Sequence, residues 1–207
     1  MAFKDLSDLN DMQIDVLKEI GNIGSGNAAT SLSSMLMHPV GIEVPHIAIL
    51  DYNEVVEALG GPESMIVSLM LFLSGEVEGM IMFLLQKDFA HMTLSSLLGE
   101  DVGDFNGEDE MANSALTEVG NIMAASFVNA IGTLTGLNIS ISVPDICIDM
   151  CGAILSVPAI HYANISDKII FIQDQFNSMS NEATSHVLLI PDVESLSKIM
   201  TNLGIEL

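Results

Sequence analysis

Two stretches of the chain place apolar residues at the spacing of one face of an α-helix. These residues are Val16, Ile20 and Ile23 in the first stretch and Ala115, Val119 and Ile122 in the second. Positions three and four residues apart lie on the same side of a helix, so each stretch predicts an amphipathic helix with a buried stripe. Each helix contains small residues, including Gly21, Gly24 and Gly26 in the first and Gly120 in the second. Glycine is unfavourable in a helix, which predicts that a neighbouring backbone, that of the other helix, passes close by.

The rest of the chain alternates between strand patterns and short helices. Alternating runs at 40–44 and 139–143 end at prolines, and the apolar runs 65–73 and 80–85 flank a polar turn, which predicts a hairpin. Further strands are predicted at 152–160, 168–173 and 186–190, with a polar loop at 177–184. Glycines follow the short helices predicted at 87–98 and 193–203. The fourteen methionines and the aromatic residues Phe72, Phe83, Phe89 and Phe127 are predicted to fill the core.

A polar pattern occurs once on each of the two predicted helices. Asp15, Glu19 and Asn22 are followed after twenty-two residues by Pro45, and the same steps join Ser114, Glu118, Asn121 and Pro144. The two copies are offset by 99 residues in a chain of 207. A single Glu-x-x-Asn has no diagnostic value, but two copies in one register indicate a tandem duplication. Because residues i, i+4 and i+7 share a helix face, each copy predicts one polar stripe; a solvated helix face is the plainer alternative.

The duplication predicts an α+β fold of two homologous helix-strands-helix halves related by a pseudo-twofold axis. The halves cover approximately residues 8–99 and 108–204 of a single domain spanning 1–207, with a linker at about 100–109. They are expected to share one joined sheet, with the two long signature helices side by side on one face and their polar stripes outward.

The charge of the chain narrows the range of partners. Five lysines, no arginine and 28 acidic residues give a net charge of −23. Nucleic acids and anionic membranes are bound through Lys and Arg, so neither is expected as a partner. An alternative explanation of the acidity is a salty cytoplasm, where carboxylates keep a surface hydrated.

The chain shows neither a secretion leader nor an apolar run of membrane length, which predicts a soluble, cytoplasmic protein.

The cysteines and histidines suggest no further chemistry. Cys147 and Cys151 are too far apart on a strand to form a disulfide comfortably, and buried free thiols are the favoured interpretation over a metal site. The five histidines form no ligand-spaced pair, so no metal site is predicted.

The doubled Asp/Ser-x3-Glu-x2-Asn-x22-Pro signature resembles the CheC group of the CheC/CheX/FliY family of chemotaxis phosphatases. The resemblance covers nearly the whole chain, and both copies satisfy every position. It implies dephosphorylation of the response regulator CheY at its phosphorylated aspartate, and binding of the deamidase CheD as a stimulating partner. CheX-like members carry one intact signature and act as dimers, so the doubled signature favours a monomer. FliY-like members carry extra segments for which 207 residues leave no room.

The resemblance also implies roles for the signature residues. The regulator brings its own Mg²⁺ and lysine, so the phosphatase needs no cofactor of its own. Asn22 and Asn121 would position the attacking water, since a carboxamide can hold water without adding negative charge. Glu19 and Glu118 would pair with the regulator's lysine. The supporting residues are Asp15 and Ser114 at the start of each stripe, and Pro45 and Pro144, which would set strand geometry.

Two other functions stay open at this stage. In the first, the chain is an adaptor for CheD or phosphorylated CheY, and the Glu/Asn stripes are docking surfaces with little or no catalysis. In the second, it is an enzyme for a small metabolite, although the sequence contains no pocket-forming or cofactor motif.

Overall fold

The computed structural model describes residues 6, 9–99, 102–103, 105, 107–162, 168–178 and 181–205. They form six helices and eight strands, and the order of elements in the first half is repeated in the second. The first half consists of α1 (Asp11–Leu36), β1 (Val40–Ile42), β2 (His46–Asp51), α2 (Tyr52–Ala58), β3 (Met65–Gly75), β4 (Gly79–Leu85) and α3 (Lys87–Leu98). The second half consists of α4 (Glu110–Thr135), β5 (Ile139–Ile141), β6 (Asp145–Met150), α5 (Cys151–His161), β7 (Lys168–Ser178), β8 (Asn181–Pro191) and α6 (Val193–Asn202).

All eight strands belong to one antiparallel sheet in which the halves exchange strands. The order is β1-β7-β8-β4-β3-β5, with β2 beside β7 and β6 beside β3. The first two strands of each half therefore pair with the hairpin of the other half. The two hairpins meet at the centre, where β4 pairs with β8. The predicted α+β fold with a joined sheet is confirmed.

Helices cover both faces of this sheet. The long signature helices α1 and α4 pack against each other on one face, together with α3 and α6, while α2 and α5 cover the other face. In β4, Ile81 and Phe83 point to the signature helices and Met80 and Met82 to the opposite layer. This central strand is apolar throughout because both of its faces are buried. Among the described helices, none is both long and apolar enough to cross a membrane.

Local sequence sets the ends of the signature helices. The Asn10 side chain accepts from the backbone N–H of Gln13, and the Gln13 side chain accepts from that of Asn10, which forms a capping box at the start of α1. In α4 the Asp109 carboxylate accepts from the N–H groups of Met111 and Ala112. Gly136 ends α4 in the left-handed conformation that glycine adopts without steric cost.

The glycines of the signature helices differ from the prediction that they face the partner backbone. Gly21 lies against the side chain of Ile47 on β2, and a Cβ at Gly120 would lie 2.8 Å from Cδ1 of Leu69 on β3. These two glycines let the helices approach the sheet closely. Gly24 does face α4, but it meets the ring of Phe127 rather than backbone. Gly26 has open space around it.

This difference predicts opposite effects of alanine at two neighbouring glycines. A Cβ at Gly24 would lie 2.5 Å from Cδ1 of Phe127, a fully buried ring that packs edge-on against Phe83. We expect Gly24→Ala to lower the free energy of unfolding by about 1–3 kcal/mol through overpacking. Gly26→Ala is the matched variant and should raise it by up to about 1 kcal/mol. Chemical denaturation followed by circular dichroism measures both, and a gain in stability for Gly24→Ala would contradict the packing described.

Asp174 is a buried carboxyl between α1 and the sheet. It lies on β7 opposite Ser185 of β8, and its side chain is fully buried. The Ser25 hydroxyl on α1 interacts with it only weakly, because neither carboxyl oxygen has a hydrogen bond of good geometry to the described residues. Desolvation therefore dominates and raises the pKa of Asp174 to about 7.

The region predicted as a strand at 152–160 is a helix, so that prediction is wrong. α5 buries Cys151, Ile154, Leu155 and Pro158, which are spaced as one face of a helix. A short run of apolar residues does not distinguish a strand from a buried helix, and here the branched side chains were misleading. β2 and α2, which follow Pro45, were not predicted, because the alternating pattern of the preceding strand ends at this proline.

The loop predicted at 177–184 is also wrong for most of its length. β7 continues to Ser178 and β8 begins at Asn181, so polar residues extend the hairpin in register. Residues 179 and 180 of this prediction lie outside the described residues, as do four positions of the linker predicted at 100–109.

The predictions for the core are confirmed for Phe83, Phe89 and Phe127, which are buried, but not for Phe72, which is exposed and contacts His161. Several methionines are exposed as well and do not fill the core. Cys151 is buried as predicted, whereas Cys147 is exposed on β6. Both thiols are free.

Candidate functional site

The first polar stripe lies on the solvent-facing side of α1. Asp15, Glu19 and Asn22 are all exposed, while the adjacent Leu17 and Ile20 are buried against the core. The helix thus separates its apolar and polar residues as the 3.6-residue period requires. The Glu19 carboxylate and the Asn22 carboxamide, one turn apart, are therefore both accessible to a molecule that binds this face of α1.

The second stripe occupies the same place on α4. Ser114 and Glu118 are exposed, and Asn121 is half-buried. Glu118 and Asn121 form one wall of an open groove of about 310 Å³, whose other wall is the segment between β5 and β6. Pro144 lines this groove, so the proline of the signature lies beside the Glu/Asn pair although it is distant in sequence. Its spacing in the chain gave no indication of this proximity.

The two prolines mark short segments that join the paired edge strands. Pro45 is half-buried between β1 and β2, and Pro144 is buried between β5 and β6. The residue two positions before each proline forms a backbone hydrogen bond to a neighbouring strand of the sheet. The Glu43 N–H donates to the carbonyl oxygen of Gln175 at 3.1 Å, and the Ser142 N–H donates to that of Phe72 at 3.0 Å. These bonds fix the segments, which is consistent with the structural role predicted for the prolines.

The two stripes differ in charge. In α1, Lys18 forms an exposed ion pair with Asp15 at 3.0 Å. The equivalent residue in α4 is Thr117, whose hydroxyl donates to the Asn113 carbonyl oxygen at 2.8 Å and carries no charge. An exposed pair at i,i+3 contributes little to stability, so its effect is mainly on the local field. The first stripe therefore presents a cation beside Glu19 that the second stripe lacks.

Exposed apolar side chains accompany both stripes and were missed in the sequence. Met12 and Met111 begin the two stripes, and Val44 and Val143 directly precede the two prolines. Both pairs are related by the same offset of 99 residues as the signature. Extending the comparison of the two copies by one helical turn would have found the methionines.

The signature residues offer carboxylates and carboxamides, and the cation near them, Lys18, is paired with Asp15. The described residues contain no group of three His, Cys, Asp or Glu side chains that could hold a metal ion. Glu carboxylates attract a cation, and Asn carboxamides both donate and accept hydrogen bonds without charge. Such a site can bind a cationic group and orient a water molecule, and it can act on a phosphate only if the substrate neutralises that phosphate itself.

Comparison with known sequences gives related proteins over the whole chain. The CheC-like family matches at residues 12–49 and 111–148, the segments that hold the two signatures. The CheY-P phosphatase CheC of Bacillus subtilis is 32% identical over 204 residues, 96% of this chain and 97% of that protein. The flagellar motor switch phosphatase FliY of the same bacterium is 28% identical over 140 residues, 68% of this chain and 36% of that protein.

Solved structures share the fold. The crystal structure of Thermotoga maritima FliY superposes with a TM-score of 0.75 at 21% identity, covering 95% of this chain and 98% of that one. A chain of the CheX-CheY-BeF3-Mg complex from Borrelia burgdorferi matches with a TM-score of 0.52 at 23% identity, covering 81% of this chain and 95% of that one. At these identities the likeness shows the fold alone.

Proposed function

The chain belongs to the CheC-like family, and on that basis we propose that it is a phosphatase that hydrolyses the aspartyl phosphate of the response regulator CheY. The observation that carries the proposal is the pair of Glu/Asn stripes, presented to solvent at equivalent places on α1 and α4 of a chain that is 32% identical to a CheY-P phosphatase over 96% of its residues. An exposed stripe fits a protein substrate better than a small metabolite, which would require an enclosed pocket.

In the proposed mechanism, Asn22 or Asn121 holds a water molecule in line with the phosphorus atom of the regulator. The water oxygen bonds to phosphorus as the bond from phosphorus to the aspartyl oxygen breaks. The aspartate regains its carboxylate, and inorganic phosphate leaves as H2PO4⁻ with both protons of the water. Positioning is the main contribution of the phosphatase, because the regulator's Mg²⁺ and lysine already stabilise the phosphoryl charge.

Glu19 and Glu118 are assigned the contact with the regulator's lysine. Each lies one turn before its Asn and is exposed on the same stripe, so one lysine can be held while the water is aligned. Asp15 and Ser114 stand one turn earlier and shape the start of the stripe. Pro45 and Pro144 hold the facing segments in place. Under this proposal the protein needs no metal of its own, because Mg²⁺ belongs to the substrate.

We also propose that the protein acts as a monomer and is stimulated by CheD. Two intact stripes on one chain make a second copy unnecessary for a complete site. The stripes occupy only the outer side of α1 and α4, so the opposite layer of α2 and α5 leaves surface for a regulatory partner while CheY is bound.

The test is the lifetime of phosphorylated CheY. The full chain, present at a small fraction of the CheY concentration, should shorten this lifetime in proportion to its amount, and CheD should shorten it further. An unchanged lifetime together with measurable binding to phosphorylated CheY would instead identify an adaptor without catalysis. An unchanged lifetime without binding would reject CheY as the partner.

A further inference from the structure

Each half carries two exposed apolar side chains at matching positions, one at the start of the Glu/Asn stripe and one directly before the signature proline. We propose that Met12 and Val44 in the first half, and Met111 and Val143 in the second, bind CheY by contacting the surface that surrounds its aspartyl phosphate. This inference rests on the proposed function and adds the residues that determine affinity for the regulator. Single exposed apolar residues are common on protein surfaces, but their recurrence in both copies is not expected by chance.

The methionines lie in line with the proposed catalytic residues. Met12 is three residues before Asp15 and seven before Glu19, so it extends the same helix stripe by one turn. Met12 is 64% exposed and Met111 is 67% exposed. Both occupy the first turn of a capped helix, so their backbone is fixed while their side chains stay adaptable.

Val143 lies across a groove from the second stripe, and Val44 holds the equivalent position in the first half. Val44 is 88% exposed and Val143 is 78% exposed, the position directly before each proline. The N–H groups of Glu43 and Ser142, one residue before each valine, donate hydrogen bonds to the adjacent strands and hold the backbone in place there. Val143 lines the same groove as Glu118 and Asn121, so this apolar contact is continuous with the proposed site.

The chemistry of the stripe alone is insufficient to hold a protein substrate. Its contact with the regulator's lysine would be an exposed ion pair, and such pairs contribute little to stability. Most of the binding energy at a protein interface comes from a few well-packed side chains that lose water on contact, and interface cores are enriched in aromatic residues, Met and Arg. Met12 with Val44, and Met111 with Val143, are apolar groups that flank the polar residues in this way.

The occupant is CheY rather than a second copy of this chain. With a net charge of −23, two copies would repel each other, and Lys18, the one lysine beside the first stripe, is already paired with Asp15. Phosphorylated CheY carries a lysine and Mg²⁺ at the reacting group, which complements a carboxylate stripe. Unbranched methionine also adapts to partner surfaces that differ in detail.

The experiment compares the parent with a fourfold variant in binding and in catalysis. Binding is measured by calorimetry with CheY in its beryllium fluoride and Mg²⁺ form, which mimics phosphorylation but is not hydrolysed. Catalysis is measured as kcat and KM for phosphorylated CheY. The substitutions, all at exposed positions, are Met12→Ser, Val44→Ser, Met111→Ser and Val143→Ser.

The fourfold variant should raise both Kd and KM by about tenfold, the loss typical of removing apolar anchors, while kcat at saturation stays within about twofold. The control carries Met150→Ser and Val157→Ser, an exposed methionine and valine at and beside α5, and should bind as the parent does. An unchanged Kd in the fourfold variant, or a fall in kcat alone, would overturn the inference while leaving the phosphatase assignment intact. Failure of the parent itself to bind or hydrolyse would reject both.

Discussion

Replacing Asn22 and Asn121 together by alanine should lower kcat for phosphorylated CheY by about 100-fold or more, to near the regulator's own rate. The loss follows from the proposed mechanism, because without the carboxamide the water is no longer held in line with phosphorus, and a misplaced reactant costs about this much. KM should change little, since the Glu residues and the exposed apolar side chains proposed to bind CheY are unchanged. Single-turnover decay of phosphorylated CheY measures the effect.

The structure offers matched controls for this double variant. Asn27 and Asn129 are exposed asparagines on the same two helices, more than one turn beyond the stripe residues. Asn27→Ala with Asn129→Ala should leave kcat near that of the parent. Both double variants should unfold at the denaturant concentration of the parent or slightly above it, because alanine is the better helix former at exposed positions. Retention of full activity by the Asn22/Asn121 variant would remove the basis for the catalytic assignment.

Asp174→Asn should make the protein more stable than the parent, and the gain should grow as pH rises. The folded carboxyl has its pKa raised from 3.8 to about 7, so the folded state holds a proton that the unfolded state releases. The parent therefore loses stability from about pH 4 up to pH 7 and no further above it. At 1.36 kcal/mol per pH unit, the loss is about 4 kcal/mol. Asparagine has nearly the same shape as aspartic acid and does not ionise, so the variant does not lose stability as pH rises through this range.

The measurement is the difference in free energy of unfolding between the two proteins from pH 4.5 to 8. We expect this difference to increase by about 3 kcal/mol over that range. His186 would obscure the trend in the parent alone, since burial lowers its pKa to about 4 and gives a slope of opposite sign between pH 4 and 6.5. Both proteins contain His186, so its contribution cancels. A difference that is constant with pH would show that Asp174 is not protonated in the folded state.

The sequence was sufficient for the features that repeat with a constant offset. The signature helices, their outward polar stripes and the joined sheet followed from two copies separated by 99 residues. Asp174 illustrates what was missed. β2 places His46 opposite Gln173, and β6 places Asp145 opposite Met70, so Asp174 takes the place of Leu71 in the other half. That offset differs from 99, and a carboxyl in a strand pattern suggests a solvated face unless its buried neighbours are known.

The prediction of a strand at 152–160 was wrong for a different reason. The pattern of its apolar residues is compatible with a strand and with a helix. The packing of Cys151, Ile154 and Leu155 against the sheet shows that the segment is the helix α5. The exposed positions Met12 and Val44 were missed because hydrophobic residues were assigned to the core by type. Burial depends on position as well as residue type: Met12 lies on the polar face of α1 and Val44 between β1 and β2, so both are exposed although they are apolar.

The exchange of strands between the halves has a consequence for biosynthesis. β1 and β2 pair with β7, which is synthesised only after α4 and α5. At 5–20 residues per second, the nascent chain waits on the order of ten seconds with these strand edges unpaired. Unpaired edges promote aggregation, so the interval is a vulnerable stage for this protein. Because the chain carries a net charge of −23, we expect repulsion between neighbouring nascent chains to oppose such aggregation.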